Sequence, residues 1–238
     1  MGDLSFLLNR PPSLTEAAIV SGHFKSGQRV IENELSEMLG ISRAPLREAL
    51  RAPAKEGLVE VRRSRGAIVA SPTADDIEHL VVFRALVEGA AARFVAFRRD
   101  RKVLKRLGGI FAAIEDAHRH NDGQTFLQHV WDFHGSLCAE SQNPFLLQSW
   151  NIAGNLTRLY MHRAVPTINF EAVLANNRAI LRALENESPA EAESLVRSLI
   201  LRLAYQLIER EIPASIQEYV TRPLASGAPR KKSSARKA

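Results

Sequence analysis

The stretch that decides the fold runs from residue 32 to residue 69 and reads ENELSEMLGISRAPLREALRAPAKEGLVEVRRSRGAIV. A short helix with apolar side chains ends at Gly40, a residue that tolerates the positive φ of a tight turn. A second helix follows, with Ser42 as a suitable N-cap, and ends at Gly57. Two β-like runs then flank a basic tip, at residues 58–61 and 67–69. This order predicts a winged helix-turn-helix domain.

The second helix carries a basic stripe. Its cations follow one another at i, i+4 spacing: Arg43, Arg47, Arg51 and Lys55. Guanidinium groups on such a helix can chelate the guanine edge in the major groove, or grip phosphates. A solvated face without a partner is the alternative for the stripe alone. The tight turn before this helix and the Arg-rich wing after it favour DNA binding.

Composition limits the class of protein. The chain has 238 residues, 45% of them hydrophobic, which is enough for two modest domains with cores. The single cysteine, Cys138, excludes an intrachain disulfide and is typical of a reducing cytoplasm. Its helical, apolar surroundings predict a core residue rather than a nucleophile. We expect no membrane span and no signal peptide, because no apolar run approaches the required length.

The net charge of +6 comes from the C-terminal tail. From Thr221 onward the tail has no acidic residue, and its six cations are Arg222, Arg230, Lys231, Lys232, Arg236 and Lys237. The rest of the chain is therefore near neutral, so the local stripe is better evidence for DNA binding than the overall charge. Two interpretations of the tail stay open: non-specific attraction to phosphates, or no role.

The sequence predicts a mainly α protein in four segments. These are a loose arm at 1–12, the winged helix-turn-helix domain at 13–72, an all-α domain at 73–212 and a disordered basic tail at 213–238. The all-α domain has helical patterns that are separated by Asp, Asn, Gly and Pro breaks, at 74–99, 101–120, 123–141, 144–164, 169–186 and 189–211. Helices with such short connections predict an antiparallel bundle.

The N-terminal motif LSEMLGISRAPLREAL…EGLV…RRSRGAIV, preceded by SGHFKSGQRVIENE, resembles the DNA-binding domain of the GntR family of bacterial transcription regulators. The resemblance implies that the recognition helix, the preceding helix and the wing tip face DNA. The implied DNA-facing residues are Asn33, Ser42, Arg43, Ala44, Arg47, Arg65 and Gly66. The family commonly has Arg at the position of Asn33.

The C-terminal helices resemble the FCD domain of the FadR subfamily within that family. The likeness lies in FRALVEGAAARFVA (83–96), DFHGSLCAESQNPFL (132–146), NNRAILRAL (176–184) and AEAESLVRSLI (190–200). The resemblance implies an effector-sensing domain that forms a homodimer, so we expect a palindromic operator on double-stranded DNA.

Many FCD domains bind a divalent metal through one Asp and three His residues. In this chain His134 occupies the first His position, but the other positions hold Val130, Asn177 and Leu199. One imidazole does not hold a metal tightly, so we expect no metal and no cofactor. The alternative is a weak site rebuilt around His134, with His162 approaching from the neighbouring helix.

Some members of the subfamily bind an organic effector directly in the same cavity. The resemblance gives Arg84, His134 and Asn177 as candidate polar groups, with Trp131, Phe133 and Tyr160 as candidate walls. The alternative is structural: Arg84 and Glu88, at i, i+4, form a salt bridge and His134 is a satisfied core histidine.

Pro53 is the one discordant residue of the motif. Proline inside a helix loses the hydrogen bond to the carbonyl four residues back and costs about 3 kcal/mol. We therefore expect a bend or early fraying between residues 49 and 53.

Together these patterns predict a transcription regulator. We expect it to act as a repressor whose repression is relieved when the ligand binds. The sequence has no Gly-rich phosphate loop, nucleophile elbow or zinc-binding motif, so we expect no enzyme. Two alternatives are a non-specific nucleic-acid-binding protein driven by the tail, and an effector-binding protein whose DNA binding Pro53 has impaired.

Overall fold

A computed structural model describes residues 25–30, 36–37, 40, 42, 46, 50–55, 57–62, 66–164 and 168–221. The predicted arm at 1–12 lies outside these residues. No helix of the described part is long and apolar enough to cross a bilayer.

The N-terminal domain contains a small antiparallel sheet. Its strands are β1 (Arg29–Val30), β2 (Val59–Arg62) and β3 (Gly66–Val69), in the order β1-β3-β2. The predicted hairpin is confirmed: Val59 pairs with Val69 and Arg62 with Gly66. The first strand was not predicted. It pairs Arg29 with Ile68, so a segment before the helix-turn-helix covers the open edge of the hairpin.

The helix-turn-helix shows its expected turns. Gly40 has φ of 64° and Gly57 has φ of 72°, and both values lie in the left-handed region that favours glycine. The amide of Leu46 donates to the carbonyl of Ser42 at 3.2 Å, which is the first helical hydrogen bond after that residue. The buried apolar residues of this domain come from the helix and the hairpin: Leu46, Leu50, Leu58, Val59, Ala67 and Val69.

Pro53 lies inside helix α1 (Arg51–Lys55) and its side chain is buried. Residues 51–55 are helical and the amide of Ala54 donates to the carbonyl of Leu50 at 3.0 Å, so these residues are not frayed. Leu50 is a turn residue between the helical residues Leu46 and Arg51, which agrees with the alternative expectation of a bend between residues 49 and 53. A bend at Ala49 concerns a residue outside the described ones.

The C-terminal domain is the predicted helical bundle. Its helices are α2 (Ala74–Arg98), α3 (Arg101–Arg119), α4 (Gly123–Glu140), α5 (Pro144–Ala164), α6 (Phe170–Glu185) and α7 (Pro189–Leu207). Side-chain caps explain several helix starts, at Thr73, Asp100, Asp122 and Asn169. The last predicted helix, 189–211, ends earlier, at Leu207.

Small side chains let the central helices approach closely. Helix α2 carries buried alanines, among them Ala85 and Ala92, and α7 packs against this helix. Helix α4 packs on both α2 and α3, and α5 packs on α2 and α4. Cys138 is fully buried in this core, as predicted, and burial raises the pKa of its thiol well above the ordinary value.

The C-terminal segment corrects the expected disordered tail. Residues 214–221 form helix α8 (Ala214–Thr221), which packs against α7 and α2, so the prediction of disorder at 213–238 is wrong for them. Ile212 and Ile216 pack against the bundle core, and this apolar contact explains the helix. Residues 222–238 lie outside the described ones.

The two domains share an apolar contact. Four bundle residues pack against the buried core of the winged domain: Ile77, Leu80, Leu156 and Leu207. They come from α2, α5 and α7. A Cβ placed on Gly57 would lie 3.6 Å from Cδ2 of Leu156, so helix α5 reaches the turn that follows α1.

Candidate functional sites

The predicted DNA-facing surface lies only partly within the described residues. Ser42 is exposed at the start of the recognition helix, and Gly66 begins β3 at the wing. The other predicted residues lie outside the described ones: Asn33, Arg43, Ala44, Arg47 and Arg65. Their contacts with DNA stay a prediction.

The bundle contains a buried charged cluster between α2 and α4. Glu88 accepts a hydrogen bond from Nε of Arg84 at 2.7 Å, and its second oxygen lies 2.7 Å from Nδ1 of His134. Glu88 is fully buried, and Arg84 and His134 are at least nine-tenths buried. The expected salt bridge between Arg84 and Glu88 is therefore confirmed, and His134 is bonded inside the core.

Arg84 and His134 keep Glu88 ionised. Burial alone raises the pKa of this carboxyl, but the charge of Arg84 and the hydrogen bond to His134 outweigh it, so the pKa of Glu88 is lowered overall. The carboxylate thus accepts from both partners at neutral pH. A Glu88 anion also favours the tautomer of His134 that carries its proton on Nδ1.

Two tryptophans form an aromatic wall beside this cluster. The guanidinium of Arg84 lies 5.2 Å from the ring centroid of Trp131, and the rings of Trp131 and Trp150 are 4.7 Å apart. Each tryptophan rests on a glycine of the opposite helix. A Cβ on Gly135 would lie 2.6 Å from Trp150, and a Cβ on Gly154 would lie 3.0 Å from Trp131.

Trp150 is the member of this wall that sequence reasoning missed. It is buried, and its Nε1 finds no hydrogen-bond partner within the described part of the chain. A buried indole N–H without an acceptor is uncommon and indicates a place for a polar ligand or water. The sequence contained one signal for this packing. Trp150 and Gly154 are four residues apart, so a large and a small residue lie one helical turn apart on the same helix.

The remaining effector candidates are less closely tied to the cluster. Asn177 is fully buried on α6, where its Nδ2 donates to the carbonyl of Val173 at 2.9 Å. Its Oδ1 has no hydrogen-bond partner among the described residues. Tyr160 lies on α5, and its side chain is outside the described part. Phe133 is buried in the core beside His134, with ring centroids 6.0 Å apart.

The side chains around His134 do not fit a metal. The described residues contain no group of three His, Cys, Asp or Glu that could hold an ion. Nδ1 of His134 is engaged by Glu88, while Val130 and Leu199 present buried apolar side chains. Metal-independent function stays a prediction, and it agrees with this chemistry.

A second buried charged cluster joins α2 to α7. Arg93 donates from Nη1 to Glu193 at 2.8 Å, and Arg197 pairs with the other oxygen of the same carboxylate. Glu193 and Arg197 are buried. The stem of Arg197 crosses Gly89, where a Cβ would lie 2.7 Å from its Cγ. Glycine at this position therefore leaves room for the ion pair. Sequence reasoning did not identify this second cluster.

Two family descriptions match this architecture. The family described as "Bacterial regulatory proteins, gntR family" matches residues 14–69, and "FCD domain" matches residues 79–202. The second match covers more than half of the chain.

Individual relatives agree with these matches. A probable D-xylose utilization operon transcriptional repressor of Paenarthrobacter nicotinovorans is 31% identical over 175 residues, which cover 74% of this chain and 77% of that protein. A gluconate operon transcriptional repressor of Bacillus licheniformis is 23% identical over 194 residues, which cover 79% of this chain and 76% of that protein.

Solved structures share the fold. A putative GntR transcriptional regulator of Rhodococcus sp. RHA1 has a TM-score of 0.73 at 23% identity, over 87% of this chain and all of that one. McbR/YncC of E. coli has a TM-score of 0.72 at 18% identity, over 88% of this chain and 99% of that one. These relatives are transcription regulators, not enzymes. The chain belongs to the GntR family of bacterial transcription regulators, in the FadR-type subfamily that combines a winged helix-turn-helix with an FCD domain.

Proposed function

We propose that this regulator is a homodimeric repressor that binds a palindromic operator and leaves it when a small organic metabolite binds the bundle. One observation carries the proposal: helix α5 contributes Trp150 to the wall of the buried cluster and Leu156 to the contact with Gly57. A ligand that displaces the tryptophan pair therefore acts on the helix that supports the DNA-binding domain.

Helix α2 provides a parallel connection. Its middle carries Arg84 and Glu88 of the buried cluster, and its first turns carry Ile77 and Leu80, which pack against the core of the winged domain. A ligand shifts the operator affinity only if it binds the two domain arrangements with different affinities. Contacts through both α2 and α5 provide the physical route for that difference.

The class of effector follows from the buried cluster and the relatives. Arg84, His134 and Nε1 of Trp150, which has no hydrogen-bond partner among the described residues, are polar groups that can orient an oxygen-rich ligand. Two relatives are named as repressors of operons for D-xylose utilization and for gluconate. A sugar or sugar-derived metabolite is therefore the first class to screen.

Exposed aromatic residues support a homodimer. Phe83, Phe94 and Phe97 are exposed on α2 at spacings of 11 and 3 residues, which places them on one face. Phe145 and Ile152 are exposed on α5, which packs beside α2. Apolar side chains concentrated on neighbouring helices are typical of a subunit interface. Sedimentation of the purified protein tests this directly, with a dimer expected.

The recognition helix provides the test of sequence-specific binding. Arg43→Ala and Arg47→Ala should each weaken operator binding by roughly 1–3 kcal/mol if the arginines contact bases, while binding to random DNA changes little. An equal loss on operator and random DNA would mean that they contact phosphates only. We therefore propose a cytoplasmic location for the protein, because bacterial DNA lies in the cytoplasm.

Two other candidate functions remain distinct from this one. If the protein binds nucleic acid only through its basic tail, removal of residues 222–238 abolishes all DNA binding. If it senses an effector without binding an operator, ligands still bind and shift the bundle but no DNA sequence is preferred. Residues 51–55 around Pro53 are helical, so the proline does not unfold this part of the chain, which favours the regulator.

A further inference from the structure

We propose that a pocket along helix α6 binds a small organic anion that also carries hydroxyl or ammonium groups. The pocket has a volume of about 410 Å³, and its polar side chains are Arg178, Arg182, Asn186 and Glu191. It shares no residue with the buried cluster between α2 and α4, so it is a separate site. The proposal depends neither on the operator nor on the effector proposed above.

The pocket lies on one face of α6. Arg178, Arg182 and Asn186 follow one another at i, i+4 spacing, which places their side chains in one row. The opposite face of the helix, with Ile180 and Leu184, is buried in the bundle. Small side chains at the same spacing leave room for a ligand beside the row, and these are Ala175, Ala179 and Ala183.

Contacts with helix α3 hold Arg178 in place. Its Nη2 donates to Glu115 at 2.7 Å, and its guanidinium lies 5.7 Å from the ring centroid of Phe111. A guanidinium has five N–H donors in a planar fork, so donors besides the one that Glu115 accepts are left for an anion. Because Arg178 is already oriented, it loses less conformational freedom when a ligand binds.

Arg182 and Glu191 have no ionic or hydrogen-bonded side-chain partner within the described part of the chain. The turn after α6 brings Glu191 to the pocket. There the amide of Ser188 donates to the carbonyl of Ala183 at 2.9 Å, which closes the end of the helix, and α7 begins at the next residue. A cation and an anion that the fold leaves without partners therefore line the same pocket.

These charges define the class of ligand. Two guanidinium groups one helical turn apart bind a carboxylate or a phosphate through charge-assisted hydrogen bonds. The carboxylate of Glu191 repels a second anionic group but accepts hydrogen bonds from hydroxyl or ammonium groups. The pocket volume lies within the range of roughly 300–1,000 Å³ that is usual for small-molecule sites. A hydroxylated or aminated organic anion therefore fits better than a bare inorganic anion.

The test is isothermal titration calorimetry of the full chain with two matched pairs of probes. Glycerol 3-phosphate is compared with inorganic phosphate, and glycerate with acetate, so that only the first member of each pair carries hydroxyl groups. We expect at least one hydroxylated anion to bind about tenfold more tightly than its bare counterpart. Absence of binding by both hydroxylated anions at millimolar concentration would overturn the proposal, as would equal affinities within both pairs.

Three variants locate the binding. Arg182→Gln should weaken it about tenfold or more, because a hydrogen bond between charged groups is lost. Glu191→Ala should remove the advantage of the hydroxylated probe over the bare anion. Lys25→Gln is the matched control, since it removes one exposed cation of the winged domain and should leave the affinity unchanged. Equal affinities of Arg182→Gln and the original protein would overturn the proposal.

Tryptophan emission separates this pocket from the buried cluster. The two tryptophans of the chain, Trp131 and Trp150, both lie beside that cluster and not in the pocket. Binding in the pocket should therefore release or absorb heat without a change in tryptophan emission. A change in emission that follows the probe concentration equally in Arg182→Gln and the original protein would place the probe at the buried cluster, and would overturn the proposal. None of these readouts involves DNA, so the proposed regulator function is tested separately.

Discussion

Glu88 allows the buried cluster to be tested with a single change. Glu88→Gln keeps the size of the side chain but removes the negative charge that faces Arg84 and His134, each at 2.7 Å. The glutamine amide can still accept one hydrogen bond. Arg84, which is 8% exposed, then has no counter-charge from residue 88 for its guanidinium.

The expected cost follows from this burial. A hydrogen bond to a charged group contributes about 1.5–3 kcal/mol. Breaking a buried ion pair by removing one partner costs about 3–5 kcal/mol, because the other charge stays buried and unpaired. Since the glutamine side chain of the variant still accepts from one neighbour, we expect the free energy of unfolding to fall by about 3 kcal/mol.

The assay is urea unfolding at pH 7 and one protein concentration, with Arg84→Met/Glu88→Gln as the matched variant. Removing the cation as well leaves no unpaired charge, so the double variant should lie within about 1 kcal/mol of the original protein. A loss below about 1 kcal/mol for Glu88→Gln would refute the reasoning. A double variant as unstable as the single one would refute it as well.

The pH dependence tests the ionisation of Glu88 independently. Its pKa in the folded state lies below the ordinary value of 4.5, so its contribution to stability is fully present above that pH. The contribution is lost as the pH falls below 4.5 through the folded-state pKa. The free energy of unfolding should therefore decrease more steeply with acid in the original protein than in the double variant.

Further predictions concern the helix contacts. Gly89→Ala should destabilise the bundle by about 1–3 kcal/mol in urea unfolding, because the added Cβ meets the stem of Arg197 at 2.7 Å. Gly109→Ala, where a Cβ meets nothing within 4 Å, should instead stabilise by about 0.5–1 kcal/mol, and a loss there would contradict the argument. Leu156→Ala should reduce the effect of an effector on operator affinity severalfold, as measured by fluorescence anisotropy. Leu146→Ala on the same helix, which packs against the bundle core, should leave that effect unchanged.

Local signals in the sequence predicted much of the fold. The bundle helices follow from capping residues such as Thr73 and from breakers such as Pro144, which act within one helical turn. The hairpin follows from two β-like runs around a short tip. Strand β1 lacked such a signal, because two residues become a strand only by pairing with β3.

The buried clusters were harder to predict because their members are distant in the chain. The i, i+4 spacing showed the pair Arg84 and Glu88, but not that His134, 46 residues later, shares the same carboxylate. Arg93 and Glu193 are 100 residues apart, and no local pattern joins them. Helix α8 was not predicted because the overall composition of the tail is typical of disorder. The apolar side chains that hold this helix to the bundle were not recognised within it.

Selection of DNA sites from a random pool by the full chain at physiological salt tests the central claim most directly. The account predicts an enriched palindrome with closely spaced half-sites, bound by two copies of the chain. The same palindrome should be enriched by the variant that ends at Thr221. Absence of any enriched sequence, with binding that disappears as salt rises, would contradict the account, because charge alone would then explain the binding.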